Sequence, residues 1–208
     1  MYESRSFLFG QAFAAEEKGC MKDIAKFIFE IGTLKRIKRG WLKSEGVGNP
    51  ESVAEHVYRN AMVGYILAKL EQADADKVMK MCLFHDIPEV RIGDLDKVAQ
   101  RYIDKNEAEL QAMIDQTENL PDNIKNEVRS LLIEFNGRKT KEAIIARDAD
   151  VLELLFQAKE YADVGYTGTE YWLENNSKLL KTESAKKLFE ELMKQNAFGW
   201  SKGLENLK

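Results

Sequence analysis

The sequence predicts an all-α protein, a single helical bundle. Apolar residues recur at spacings of three and four along most of the chain, the period of a helix with one buried face. Only three prolines interrupt it, and β-branched residues seldom form the alternating runs that a strand requires. At 208 residues, 44% hydrophobic and 32% charged, the chain suits one globular domain.

Residues 1–20 contain "SRSFLFGQAFAAEE", which has the outline of a signal peptide, with Arg5 ahead of a short apolar block. Gly10 and Gln11 interrupt that block, so the segment reads as an N-terminal extension, with Met21 as an alternative start. The domain is placed at 21–195 and a C-terminal tail at 196–208. In "MKDIAKFIFEIGTLKRIKRGW", Ile24, Phe27, Ile28, Ile31 and Leu34 share one stripe. "NPESVAEHVYRNAMVGYILAKLEQA" opens with Asn49 as N-cap and Pro50 at the first helical position. Its inner face runs through His56 or Val57, Asn60, Val63 or Gly64, and Leu67. A third helix, from Ala75 to about Asp86, ends or bends at Pro88.

Helical spacing returns over Glu107–Gln116 and Asn123–Phe135, and Gly137 marks a turn. "TKEAIIARDADVLELLFQAKEYAD" is the longest helix, "VGYTGTEYW" is a turn-rich connector, and Ser184 to Gln195 forms the last helix. A net charge of -4 does not favour duplex nucleic acid, whose binders carry a basic face. Two cysteines, Cys20 and Cys82, are too few for a disulfide framework or zinc knuckle and fit a reducing, cytoplasmic setting. No apolar run approaches the roughly 18 residues of a membrane span.

The chain has two histidines, His56 and His85, and both fall on helix faces that read as buried. His85 is followed by Asp86. On the long helix Asp150 lies on the apolar face, whereas Asp148 points about 160° away. A buried carboxylate must be protonated, paired or bound to a metal, so Asp150 either pairs with Arg147 or a lysine, or serves as a ligand. Two imidazoles and two carboxylates from three helices suit a transition metal better than calcium. Four protein ligands leave positions on the ion for water and substrate, as hydrolytic sites require.

The ordered set "LKRIKRGW", "NPESVAEHVYR", "FHDIPEVRIGD" and "TKEAIIARDADVLE" resembles the HD-domain metal phosphohydrolases, and more narrowly their 5′-deoxynucleotidase branch. The likeness runs from about Met21 to Gln195, fading through "KTESAKKLFEELMK". It implies an HD-domain helical bundle with one divalent ion (Mn, Co, Fe, Zn, Ni or Mg) held by His56, His85, Asp86 and Asp150. It also implies Glu89 and Asp94 as catalytic residues, with Arg39, Trp41 and Asp94 against a small nucleotide substrate, in a homodimer. Gly40 separates Arg39 from Trp41, which some relatives place side by side.

Each role has a physical counterpart. The Arg39 guanidinium offers a donor fork that fits phosphate, and Trp41 can stack on a base or plug the core. Glu89 can orient or deprotonate water, or protonate the leaving oxygen. Arg59, Glu51, Glu55 and Glu153 are candidates to brace the ligands. No histidine follows His85, which argues against a dinuclear site. The expected activity is hydrolysis of deoxyribonucleoside 5′-monophosphates. The alternatives are hydrolysis of nucleoside triphosphates or guanosine polyphosphates, and a non-catalytic nucleotide-binding regulator.

Overall fold

A computed structural model describes residues 20–204; the expectations for the N-terminal extension lie outside them. Helix α1 covers residues 20–31 and tightens into a 3-10 turn at Gly32–Arg36. There follow α2 (Trp41–Glu45), α3 (Val53–Leu70), α4 (Ala75–Phe84) and α5 (Glu89–Ile92). The second half holds α6 (Lys105–Thr117), α7 (Asp122–Gly137), α8 (Lys141–Asp163), α9 (Thr169–Ser177) and α10 (Glu183–Lys194). Among the described residues there is no strand, only an isolated bridge between Lys38 and Ser52. No helix is long and apolar enough to cross a membrane.

Helices α3, α4 and α8 form the centre. Leu67, Met81, Cys82, Ala149, Leu152 and Leu155 are wholly buried between them, and each large apolar side chain so placed contributes roughly 1.5–3 kcal/mol. A second cluster of Ile87, Met113, Val128 and Leu132 seats Phe27 and Ile31 of α1. Ile28, expected on the same stripe, is 58% exposed because α1 covers the bundle edge with a narrower face.

Helix α3 starts three residues after the Pro50 that the sequence suggested for its first turn. Ser52 accepts from the Glu55 N–H while the Glu55 side chain accepts from the Ser52 N–H, and this reciprocal box sets the start. The Pro50 carbonyl is instead held by Lys38 Nζ at 2.7 Å. Gly137 remains helical, and the left-handed turn residue is Arg138, at φ 50 and ψ 33. That conformation costs a side-chain-bearing residue roughly 1–2 kcal/mol. The connector after α8 also contains more helix than its glycines suggested. Thr169 Oγ1 donates to the Tyr166 carbonyl at 2.7 Å, Trp172 Nε1 donates to Glu45 at 2.5 Å, and Leu173 is buried, so packing overrides the turn signals.

Gly64 sets the separation of α3 from α4: a Cβ there would lie 2.6 Å from Cys82 Sγ and 3.2 Å from Val78 Cγ1. Gly64→Ala is expected to destabilise the protein by about 1–3 kcal/mol in denaturant unfolding. Unchanged stability would show that these helices are not in close contact.

Candidate metal centre

His56 lies on the second turn of α3, His85 caps α4, Asp86 follows it, and Asp150 lies midway along α8. The structure brings these four predicted ligands together. His56 Nε2 stands 3.4 Å from Asp86 Oδ2 and 3.2 Å from Asp150 Oδ1. His85 Nε2 stands 3.1 Å from Asp86 Oδ1 and 3.7 Å from Asp150 Oδ1. Ligand atoms of His56, His85 and Asp86 all lie within 4.8 Å of one another. Of the two roles the sequence allowed, pairing with Arg147 is present at Asp150 Oδ2, while Oδ1 faces the imidazoles.

Both rings are held from behind. His85 Nδ1 donates to the Cys82 carbonyl at 2.9 Å, leaving the Nε2 lone pair free. His56 Nδ1 bonds the Glu153 carboxylate, which Arg59 grips in turn at 2.9 and 2.8 Å. Such outer partners fix the tautomer and aim the ligating nitrogen. Glu153 and Arg59 therefore brace the centre as expected, but Glu51 and Glu55 do not. Glu51 accepts from Trp41 Nε1 and the Tyr161 hydroxyl, and Glu55 serves the α3 cap.

A divalent ion fits this donor set. His56 Nε2 and Asp86 Oδ2 are buried with no hydrogen-bond partner, and each unpaired polar atom costs roughly 1–3 kcal/mol. Local charge also favours a cation. Burial and Arg39 oppose a proton on His56, yet Glu153 and Asp150 outweigh them and raise its pKa to about 10. Burial likewise works against the Asp150 charge, but Arg147 and the two imidazoles hold its pKa well below the ordinary carboxylate range.

Beside these ligands opens a cleft of about 660 Å³, within the usual range for small-molecule sites. Arg39, Trp41, His85, Asp86, Asp94 and Asp150 line it. Arg39 Nη1 is 3.4 Å from Asp94 Oδ2, which also accepts the Gly40 N–H at 3.1 Å. Trp41 is only 4% exposed and packs against Tyr161 and Trp172, with ring centroids at 5.6 and 5.1 Å. It is a rigid wall element as well as a core plug.

Glu89 is fully buried and does not line the cleft. Lys105 Nζ donates to its Oε1 at 3.1 Å and lies 3.0 Å from Glu109, while Glu89 Oε2 has no partner. Burial, Asp86 and Asp94 push the Glu89 pKa well above the ordinary range, with Lys105 and Arg39 opposing. Sequence reasoning missed Lys105. It lies sixteen residues beyond Glu89 at the start of α6, and no spacing rule connects the two elements.

Four predicted ligands, from α3, from the turn after α4 and from α8, gather beside an open cleft, an arrangement suited to metal-centred hydrolysis. A family model described as HD domain matches residues 31–193. A protein named 5'-deoxynucleotidase HDDC2 from Dictyostelium discoideum is 36% identical over 170 residues, covering 76% of this chain and 85% of that protein. A conserved hypothetical protein from Pyrococcus furiosus superposes with TM-score 0.70 at 33% identity, covering 82% of this chain and 99% of the other. A structure described as a predicted metal-dependent phosphohydrolase from Magnetospirillum magnetotacticum MS-1 gives TM-score 0.62 at 25% identity, covering 86% and 98%. The chain belongs to the HD-domain family.

Replacing Glu153 with Gln removes the charge behind His56 and is expected to weaken Mn²⁺ binding roughly 10–100-fold in titration calorimetry. Unchanged affinity would show that the His56–Glu153 contact does not tune the centre.

Proposed function

We propose that the protein is a metal-dependent 5′-deoxynucleotidase, hydrolysing deoxyribonucleoside 5′-monophosphates to deoxynucleoside and orthophosphate. The observation that carries the reading is the meeting of His56, His85, Asp86 and Asp150 at one point of a cleft that Arg39 also lines. The 5'-deoxynucleotidase name of the Dictyostelium relative supports the substrate class.

In the net reaction the bond between phosphorus and the 5′ oxygen breaks. Water supplies the new oxygen on phosphorus, and one proton goes to the leaving alkoxide. A divalent ion, when bound, neutralises phosphoryl charge and acidifies water. Arg39 presents its fork to the non-bridging oxygens, with Asp94 holding it in place. Glu89, behind the cleft wall and fixed at one oxygen by Lys105, holds a proton at its free Oε2 for relay to the leaving oxygen through an intervening water. Trp41 and Asp94 crowd the sugar side of the cleft and disfavour a 2′ hydroxyl. A purely binding protein would have no use for the buried, half-satisfied Glu89.

We further propose a homodimer working in the cytoplasm. Tyr58, Met62, Tyr65, Ile66 and Leu70 leave an exposed apolar stripe along α3, which supports a self-association surface. Cys20 and Cys82 are free thiols, which suits a reducing compartment.

Protein supplied with Mn²⁺, Co²⁺, Mg²⁺ or Zn²⁺ is expected to release orthophosphate from deoxynucleoside monophosphates faster than from the ribonucleotides. Glu89→Gln should lower kcat about 10²–10⁴-fold. No release with any ion would defeat the assignment, and an unchanged kcat would remove Glu89 from the chemistry. Ile66→Arg is expected to convert a dimer to a monomer in light scattering. A wild-type monomer would exclude the dimer.

A further inference from the structure

The cleft contains cations with no carboxylate in ion-pair contact among the described residues. Arg39 faces Asp94, Lys105 lies between Glu89 and Glu109, and Arg147 holds Asp150. Lys97 and Arg138 line the same cavity, and neither makes an ion pair or side-chain hydrogen bond among the described residues. They come from separate parts of the chain, Lys97 from the segment after Asp94 and Arg138 from the turn closing α7, and both reach solvent.

The two charges also stand among like charges. Partial desolvation, then Arg147 and Lys105, lower the Lys97 pKa, with Asp150 opposing and Arg138 adding to the effect. Desolvation and Arg147 lower that of Arg138, with Asp150 and Glu109 opposing. Arg138 also occupies a left-handed position, φ 50, where helix ends strongly prefer glycine. A residue held in an unfavourable backbone conformation at a cleft wall is a pointer to function.

We propose that Lys97 and Arg138 form a second anion subsite, which takes a phosphate group other than the one held at the metal centre. The shared ligand chemistry is a tetrahedral phosphate dianion. Its two sources are the distal phosphoryl group of a deoxynucleoside diphosphate and free orthophosphate. The inference deepens the nucleotidase reading and rests on it for the placement of the first phosphate. An arginine is suited to the task because its planar fork can bind two oxygens at once, with lysine as a flexible point charge beside it.

The test uses Mn²⁺-supplied protein and titration calorimetry, which needs no turnover. The probes are a deoxyadenosine 5′-phosphonate with carbon in place of the bridging oxygen, its β-phosphorylated form, and orthophosphate. The comparison is wild type against the double substitution Arg138→Gly with Lys97→Gln. Glycine suits the left-handed turn, so thermal unfolding of the variant should occur no lower than that of wild type, which checks folding.

If the subsite takes a distal phosphoryl group, the β-phosphorylated probe binds wild type about ten-fold tighter than the phosphonate, and the double variant loses that preference. If it takes free orthophosphate, that ion binds wild type alongside the phosphonate, and the variant weakens only the orthophosphate step by a similar factor. Equal affinities of folded wild type and variant for the β-phosphorylated probe and for orthophosphate would overturn the subsite. Absence of monophosphate hydrolysis, by contrast, would defeat the nucleotidase reading while these affinities still report on the cation pair.

Discussion

The constraint on which the structure depends is electrostatic. Two imidazoles and the carboxylates of Asp86 and Asp150 converge at the margin of the apolar core that α3, α4 and α8 enclose. Like-charged carboxylates do not gather in such a place unless positive charge stands between or behind them. Arg147 behind Asp150, Arg59 behind Glu153 and Lys105 behind Glu89 supply part of that charge from the periphery. A divalent ion at the meeting point would supply the rest, joining α3, α4 and α8 at their common centre.

The same construction explains the secondary structure near the site. Helix α4 stops at Phe84, so His85 and Asp86 occupy a turn where successive side chains can converge on one point. Pro88 opens α5 after one further turn, and this places Glu89 behind the ligand pair. On α8, Asp150 faces inward, while Asp148, two residues earlier, accepts the Lys181 and Thr182 N–H groups ahead of α10. One helix thus carries a predicted ligand on one side and, on the other, a carboxylate that holds the segment leading into α10.

Much of this was legible in the sequence, because helical period and scarcity of histidine act together. With only His56 and His85 available, and both on apolar faces, the choice of ligands was narrow. The inward face of Asp150 followed from its spacing to Val151, Leu154 and Ala158. What escaped notice depends on contacts between distant segments. The pairing of Lys105 with Glu89, and the use of Glu51 to hold Trp41 and Tyr161, join residues that no local pattern connects. Helix α9 was hidden for a related reason, since its stability comes from packing on α8 and from the Trp172–Glu45 bond. The start of α3 was a competition between two plausible caps, and the reciprocal Ser52–Glu55 pair prevailed over Asn49.

The Glu51 junction makes the two sides of the cleft mechanically unequal. Through Trp41 and Tyr161 it fastens the segment bearing Arg39 to the far end of α8, the helix that carries Asp150. The position of one group is thereby tied to that of the other. The opposite bank, residues 95–104, presents Val98, Tyr102 and Ile103 to solvent and is tied back to α2 by the exposed Lys43–Asp96 ion pair at 2.6 Å. An exposed pair of that kind is worth at most about 1 kcal/mol, so entry and exit of small molecules would displace that bank before the part-buried Glu51 junction.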